Sequence, residues 1–179
     1  MHVQTHVMSG WCVGNCVTLT PRERLFCMLA GSLSDLDGLS LAFGKELYWD
    51  YHHTLCHNLL FGLFLCCVLT MFSKHRFKGF IVYFALFHLH LVMDYVGSGP
   101  GWAVAYLWPF STRIWEFRSA WEFYSWQNLT AAIALLIWTL QIAIRRGRTP
   151  LEVLMPALDK QLVEWLRAGW QRLIPRRLR

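Results

Sequence analysis

Histidine and aspartate side chains recur at the ends of apolar segments in this chain. His90-Leu91-Val92-Met93-Asp94 closes the apolar run 81–96. On a helix, residues four apart share a face, so this imidazole and carboxylate point the same way. Ionisable groups are costly within a membrane span and mark function there. His6, Asp35, Asp37, His52 and His57 occupy comparable positions at the ends of other apolar runs. Neutral imidazoles and carboxylates are the usual ligands of zinc and related divalent metals. The seven groups His6, Asp35, Asp37, His52, His57, His90 and Asp94 exceed one tetrahedral site. They suit two metals about 4 Å apart, bridged by an Asp, an arrangement that activates water and clamps both oxygens of an in-line phosphoryl displacement. One carboxylate is then left over, which nominates Asp35 or Asp37 as general base. Each piece also has a plainer reading. His90 and Asp94 form a simple intrahelical pair, Asp35 and Asp37 cap a helix end, His6 is incidental, and His52 and His57 are interfacial polar groups. His53 and His88 fit the pattern least and read as supporting or structural residues. His75 lies in a basic loop and reads as solvated.

The elements that must position these groups follow from hydropathy and punctuation. Residues 3–19 are mildly apolar. Thr20-Pro21-Arg22-Glu23 is a helix start, with Thr20 as N-cap, Pro21 in the first turn and Glu23 three residues after the cap. That run ends at Ser34-Asp35-Leu36-Asp37-Gly38, with Gly38 as the expected stop and residues 39–51 as a loop. Apolar runs follow at 59–72, 79–96 and 128–144. The basic breaks Ser73-Lys74-His75-Arg76-Phe77-Lys78 and Arg145-Arg146-Gly147-Arg148 and the turn Gly97-Ser98-Gly99-Pro100-Gly101 punctuate them. Residues 102–127 carry Trp102, Trp108, Trp115, Trp121, Tyr124 and Trp126, which reads as an interfacial aromatic belt or a cap over a site. The tail from Pro150 alternates Leu158, Leu162, Trp165, Leu166, Trp170 and Leu173 with charged residues and ends Arg176-Arg177-Leu178-Arg179. This is a basic amphipathic helix suited to a membrane surface.

The chain is therefore expected to be all-α. It should form a multi-pass helical membrane bundle of four to five membrane helices with a C-terminal amphipathic helix. Residues 1–148 form the membrane domain and 149–179 a basic tail open to a cytoplasmic protein partner. The runs 59–72 and 3–19 are short for a core that needs about 20 residues, which leaves a partly embedded bundle as the alternative. With the basic clusters Arg22/Arg24, Lys74/Arg76/Lys78 and Arg145/Arg146/Arg148 on the cytoplasmic side, the runs alternate without conflict. All seven His and Asp groups then fall on the extracytoplasmic side.

Composition narrows the class further. The 179 residues are 55% apolar and 16% aromatic with ten Trp, unusually rich for a soluble domain. The net charge of +6 is clustered between apolar runs rather than spread as a basic stripe, so membrane lipids are expected partners and nucleic acid is not. The six cysteines form no CxxC pair and mostly lie in apolar runs, which argues against a disulfide framework or a thiolate metal site. No cleavable signal peptide is expected.

These motifs, in this order, resemble the inner-membrane-associated metal-dependent hydrolase family, also called the LexA-binding hydrolase family. Its pattern is an N-terminal Thr-His, a Pro-Asp-x-Asp element, a His-Arg-x-x-Thr-His-Ser element and a His-x-x-x-Asp helix followed by a Gly turn and Pro-Phe. The corresponding residues here are Thr5-His6, Ser34-Asp35-Leu36-Asp37, His52-His53-Thr54-Leu55-Cys56-His57-Asn58 and His90 to Asp94. Gly97 to Gly101 and Trp108-Pro109-Phe110-Ser111 follow, and the match covers about residues 1–115. The His and Asp arrangement is also similar to that of zinc-dependent phospholipases C and single-strand nucleases. The resemblance implies a bacterial inner-membrane protein, an all-helical fold, one or two divalent metals (zinc first) and hydrolysis of a phosphoester in a small-molecule or lipid substrate. Here the pattern's Pro is Ser34, its Arg is His53, its Thr is Cys56 and its final Ser is Asn58. Loss of the Arg removes a bidentate anion clamp. The competing expectation is a non-catalytic membrane protein with a structural metal site or a metal-handling role.

Overall fold

The computed structural model describes residues 1–173, all but the last few residues of the basic tail; Arg176-Arg177-Leu178-Arg179 lie outside the described residues. The described chain is all-helical, with α1 (Val3–Cys16), α2 (Pro21–Ala30), a 3-10 segment (Leu33–Phe43), α3 (Lys45–Tyr51), α4 (Leu59–Met71), α5 (Arg76–Gly97), α6 (Trp126–Arg146) and α7 (Pro156–Leu173). All five apolar runs of the sequence become helices.

Local chemistry explains most of the boundaries. At the start of α2 the Glu23 N–H donates to Thr20 Oγ1 at 3.3 Å and the Thr20 N–H donates to Glu23 Oε2 at 2.8 Å. This reciprocal capping satisfies two otherwise orphaned donors. Helix α2 stops at Ala30, where Ser32 Oγ bonds the Met28 carbonyl at 2.8 Å, and the chain bends by 51° into the 3-10 segment. The expected stop at Gly38 and loop over 39–51 do not occur. Gly38 lies inside the 3-10 segment, and the break falls at Gly44, whose φ of +128° favours glycine. The next seven residues form α3. Helix α4 is capped by Asn58, whose Oδ1 accepts from the Phe61 N–H at 2.9 Å. Helix α6 ends at Gly147 in the left-handed region.

Packing depends on small residues that allow close approach. A Cβ at Gly10 of α1 would lie 2.5 Å from the Cys27 carbonyl oxygen of α2, so the two backbones touch there. A Cβ at Gly62 of α4 would lie 2.3 Å from the Phe87 ring of α5. Close approach at glycine is the usual way membrane helices gain packing contacts. The core between α2, α4 and α5 is filled by Cys27, Cys66, Tyr83, Leu86 and Phe87.

Helices α5 and α6 are each long and apolar enough to cross a membrane, and α2 with the 3-10 segment makes a bent third candidate. That gives two or three candidate spans rather than four to five. The 14 residues of α1 and 13 of α4 rise only about 20 Å, against a hydrocarbon core of about 30 Å.

The two ends of the bundle differ chemically. At one end Glu23 accepts from the His75 backbone N–H at 2.7 Å, Arg24 pairs with Glu152, and Arg146 donates to the Asn15 carbonyl. This end gathers the three basic clusters. At the other end Asn128 donates to the Gly97 carbonyl at 2.7 Å and His6 meets Asp94. The tail packs back on the basic end, where Arg167 Nε donates to the Ile144 carbonyl at 2.8 Å. The aromatic segment after α5 has no helix; Val104 and Trp115 pair as an antiparallel bridge.

Candidate metal centre

Asp94, in the last turn of α5, lies at the centre of the cluster and is buried. Its Oδ2 lies 2.9 Å from His90 Nε2 and 3.3 Å from His57 Nε2. Its Oδ1 lies 3.1 Å from His6 Nε2, accepts from Ser98 Oγ at 3.2 Å and pairs with the Met1 ammonium. Helices α1 and α5 and the loop before α4 thus each deliver an imidazole to one carboxylate. His90 Nε2 also lies 3.7 Å from Asp35 Oδ1, which the 3-10 segment brings in from below the bend.

Other groups fix the ring orientations. His90 Nδ1 donates to the Gly31 carbonyl at 2.9 Å. That carbonyl is free for the bond because α2 ends there. His57 Nδ1 donates to Asp37 Oδ2 at 2.9 Å. Each bond spends the Nδ1 proton, so in the neutral rings Nε2 presents a lone pair. The two Nε2 atoms face each other at 3.1 Å, and both face Asp94 Oδ2. Lone pairs and a carboxylate oxygen converging in a buried space repel unless a cation stands among them. The donor set therefore fits a metal ion. In the absence of metal a proton does the same work. Burial disfavours charge on His57, but its bonds to Asp37 and Asp94 and their charges outweigh it and carry the imidazole up to about 9.

Two overlapping groups have ligand atoms close enough for one ion each. His6, Asp35, His90 and Asp94 form the first, and His53, His57 and Asp94 form the second, each set lying within 4.8 Å. Asp94 belongs to both, as a bridging carboxylate would. His6 Nδ1, Asp35 Oδ2 and His53 Nδ1 are buried without a hydrogen-bond partner. Such orphaned atoms are rare in protein interiors and require an explanation.

The structure brings together all seven residues nominated from sequence, but their positions differ. Asp37 does not face the centre. Its oxygens are taken by His52 Nδ1 at 2.7 Å, His57 Nδ1 at 2.9 Å and the Cys56 N–H at 3.1 Å. It is an orienting carboxylate behind His57, as second partners of metal-bound histidines usually are. Of the two general-base nominees, only Asp35 borders open space. His52 stacks on Tyr48 at the mouth of the site and lies outside both groups.

His53 is the residue that sequence reasoning set aside and the structure places in the cluster. Its φ of 66° is uncommon for a non-glycine residue, and its carbonyl accepts from the Ala105 N–H at 3.3 Å. The unusual backbone turns the ring inward beside His57, where the two rings stack with centroids 4.5 Å apart. Burial and the neighbouring His57 charge hold His53 well below the usual histidine value. The one available signal was its place in the Arg position of the motif. His88 is structural: Nδ1 bonds the Phe84 carbonyl and Nε2 the Tyr106 hydroxyl, both at 2.8 Å. His75 is not simply solvated; it engages buried Glu23, with Nδ1 3.0 Å from Oε2.

Two of the departures from the motif, at Cys56 and Asn58, are chemically mild. Cys56 contributes its backbone N–H to Asp37, a role open to any non-proline residue. Asn58 caps α4 in place of Ser and also donates to the Thr54 and Leu55 carbonyls, each at 2.8 Å. A cavity of about 230 Å³ opens beside the cluster, lined by Asp35, Tyr48, His52, His53, Asp94 and Trp102. Trp49 stacks on Trp102 with centroids 4.4 Å apart, which stiffens that wall.

A family model described as YdjM inner membrane protein matches residues 1–166. The chain belongs to this family. The match runs through the cluster and into α7, and the protein is an inner-membrane protein. No curated protein and no solved structure matches the chain.

Proposed function

We propose that this protein is a membrane-bound metal-dependent hydrolase that cleaves a phosphoester or similar bond in a lipid-like substrate. The observation that carries this reading is the convergence of the His57 and His90 Nε2 lone pairs on Asp94 beside a cavity. His6, His90 and Asp94 would hold one ion, with Asp35 beside them left free as proton acceptor, and His53, His57 and Asp94 would hold a second. A bound divalent metal, zinc first, supplies an activated water and neutralises developing phosphoryl charge.

The protein's own groups do the rest. Asp35 lines the cavity and is partly exposed to it, in position to take a proton from a water there. Asp37 holds His57 in the tautomer that turns Nε2 inward. Tyr48 and Trp102 wall the cavity, exclude water and offer apolar surface to a substrate's hydrocarbon. The basic clusters lie at the opposite end of the bundle, which under the positive-inside rule supports a site facing the extracytoplasmic side.

The test is hydrolysis by detergent-purified protein. Zinc- or manganese-loaded wild type is incubated with phosphodiester chromogens and a phospholipid panel, beside Asp35→Asn. Turnover in wild type, with loss of about 100-fold or more in Asp35→Asn at unchanged metal content, is expected. A metal-loaded wild type that cleaves nothing would replace this reading with a structural or metal-handling site.

A further inference from the structure

The basic end of the bundle holds a second polar cavity of about 260 Å³, far from the His and Asp cluster in the fold. The end of α1, the turn before α2 and the end of α6 line it, with Asn15, Thr18, Arg24, Arg146 and Arg148 on its walls. At about 30 Å³ per water it holds several waters, or a phosphate group with a few of them.

Its charges do not balance. Arg24 is buried, donates to the Leu19 carbonyl and makes a fork-to-fork pair with Glu152, with Nε to Oε1 at 2.7 Å and Nη2 to Oε2 at 2.8 Å. Glu152 is thereby spent. The other nearby carboxylates are also engaged: Glu23 with Thr20 and His75, Asp159 with Thr149. Arg146 and Arg148 have no carboxylate partner among the described residues. Arg146 donates to the Asn15 carbonyl, and Arg148 Nε donates to Asn15 Oδ1 at 2.9 Å. A guanidinium carries five N–H donors, and each of these two spends one on Asn15. Burial, then the like charge of Arg24 and, less strongly, of Arg146, push Arg148 below the usual arginine value, against a partial offset from the Glu152 carboxylate. Three guanidinium groups around one cavity with one carboxylate leave two positive charges uncompensated.

We infer that this cavity binds a phosphate group through Arg146 and Arg148. Planar guanidinium forks match phosphate oxygens in two-point contacts. Arg24, locked by Glu152 and Leu19, forms the rigid back wall. The position favours the headgroup of an anionic lipid. Helix α6 is a candidate span that ends at Arg146, which sets the cavity at the depth where hydrocarbon gives way to headgroups. A soluble phosphate ester offers the same chemistry, and the test separates the two.

The experiment uses the full-length protein in neutral detergent, stripped of lipid. Native mass spectrometry follows retention of phosphatidylglycerol against phosphatidylcholine, and a second arm titrates inorganic phosphate against the unfolding temperature. Wild type is compared with Arg148→Gln, Arg146→Gln/Arg148→Gln and Thr18→Glu. Thr18 is an exposed wall residue, so Thr18→Glu sets a negative charge at the cavity while leaving both Asn15 bonds intact. Each arginine near an anionic surface contributes about a fivefold effect, so the single variant binds about fivefold and the double variant about 30-fold more weakly. One phosphatidylglycerol retained per chain, weakened in this order and in Thr18→Glu, supports the inference with a lipid as ligand. Stabilisation by inorganic phosphate alone, lost in the same variants, supports it with a soluble phosphate ester. Retention equal in wild type and Thr18→Glu, or no preference for either anion over phosphatidylcholine, overturns it.

Discussion

Replacing Asp37 by Asn separates orientation from ligation at this centre. The Asp37 carboxylate is buried and accepts three bonds, from His52 Nδ1 at 2.7 Å, His57 Nδ1 at 2.9 Å and the Cys56 N–H at 3.1 Å. An amide keeps one acceptor oxygen and turns its other atom into a donor. At least one of the three donors then loses its partner or meets a second donor. If His57 swaps tautomer in response, its Nε2 carries the proton and no longer offers a lone pair to the centre. Loss of such an outer partner costs 10–100-fold in metal affinity, or about 1.4–2.7 kcal/mol. The assay is zinc titration against a competing chelator in detergent, with the unfolding temperature as a folding check. Asp94→Asn, which removes the carboxylate common to both ligand groups, serves as reference and is expected to lose binding altogether. Asp37→Asn falling as far as Asp94→Asn would mean that Asp37 is itself a ligand. Unchanged affinity would refute the orienting role.

Further tests address other links in the account. The metal-free protein carries His57 at about 9 against an ordinary 6.5, so the folded form holds this proton more tightly than the unfolded chain. That contribution, about 3 kcal/mol, is fully present below about pH 6.5 and is lost as pH rises through about 9. Chelator-treated protein should therefore lose unfolding temperature over that window, while His57→Gln should show a flatter profile. Gly10→Ala sets a methyl 2.5 Å from the Cys27 carbonyl and must push α1 from α2, displacing His6; stability should fall by 1–3 kcal/mol, the usual range for overpacking, and metal affinity should fall with it, both read in the same titration. Asn58→Ala removes the α4 cap and should cost about 1 kcal/mol in denaturant unfolding, whereas Asn58→Ser should restore most of it.

The convergence of these His and Asp side chains was legible because part of its chemistry and spacing is local. His90 and Asp94 are one helical turn apart, and assigning basic loops to one side predicted which run ends would meet. The contacts Glu23 to His75 and Arg146 to Asn15 at one end, and His6 to Asp94 at the other, follow that scheme. The capping box at Thr20 to Glu23 was legible for the same reason. What was not legible depends on tertiary context. The bend after Ala30 frees the Gly31 carbonyl, and its partner is His90, 59 residues away. Asp35 and Asp37 are alike in sequence, yet the 3-10 turn sends one toward the cavity and the other behind His57. His53 joins the cluster through a left-handed backbone that no pattern of hydrophobicity encodes. The span count was overestimated because apolar runs too short to cross a bilayer still pack as helices beside longer ones.

The most direct measurement is the metal content of detergent-purified full-length protein by elemental mass spectrometry, in wild type and in the His90→Ala, Asp94→Ala double variant. The account predicts one or two equivalents of zinc or manganese in wild type and a loss to background in the variant, with the helical signal retained in both. Folded wild type that holds no divalent metal after reconstitution, or a variant that holds as much as wild type, would contradict it.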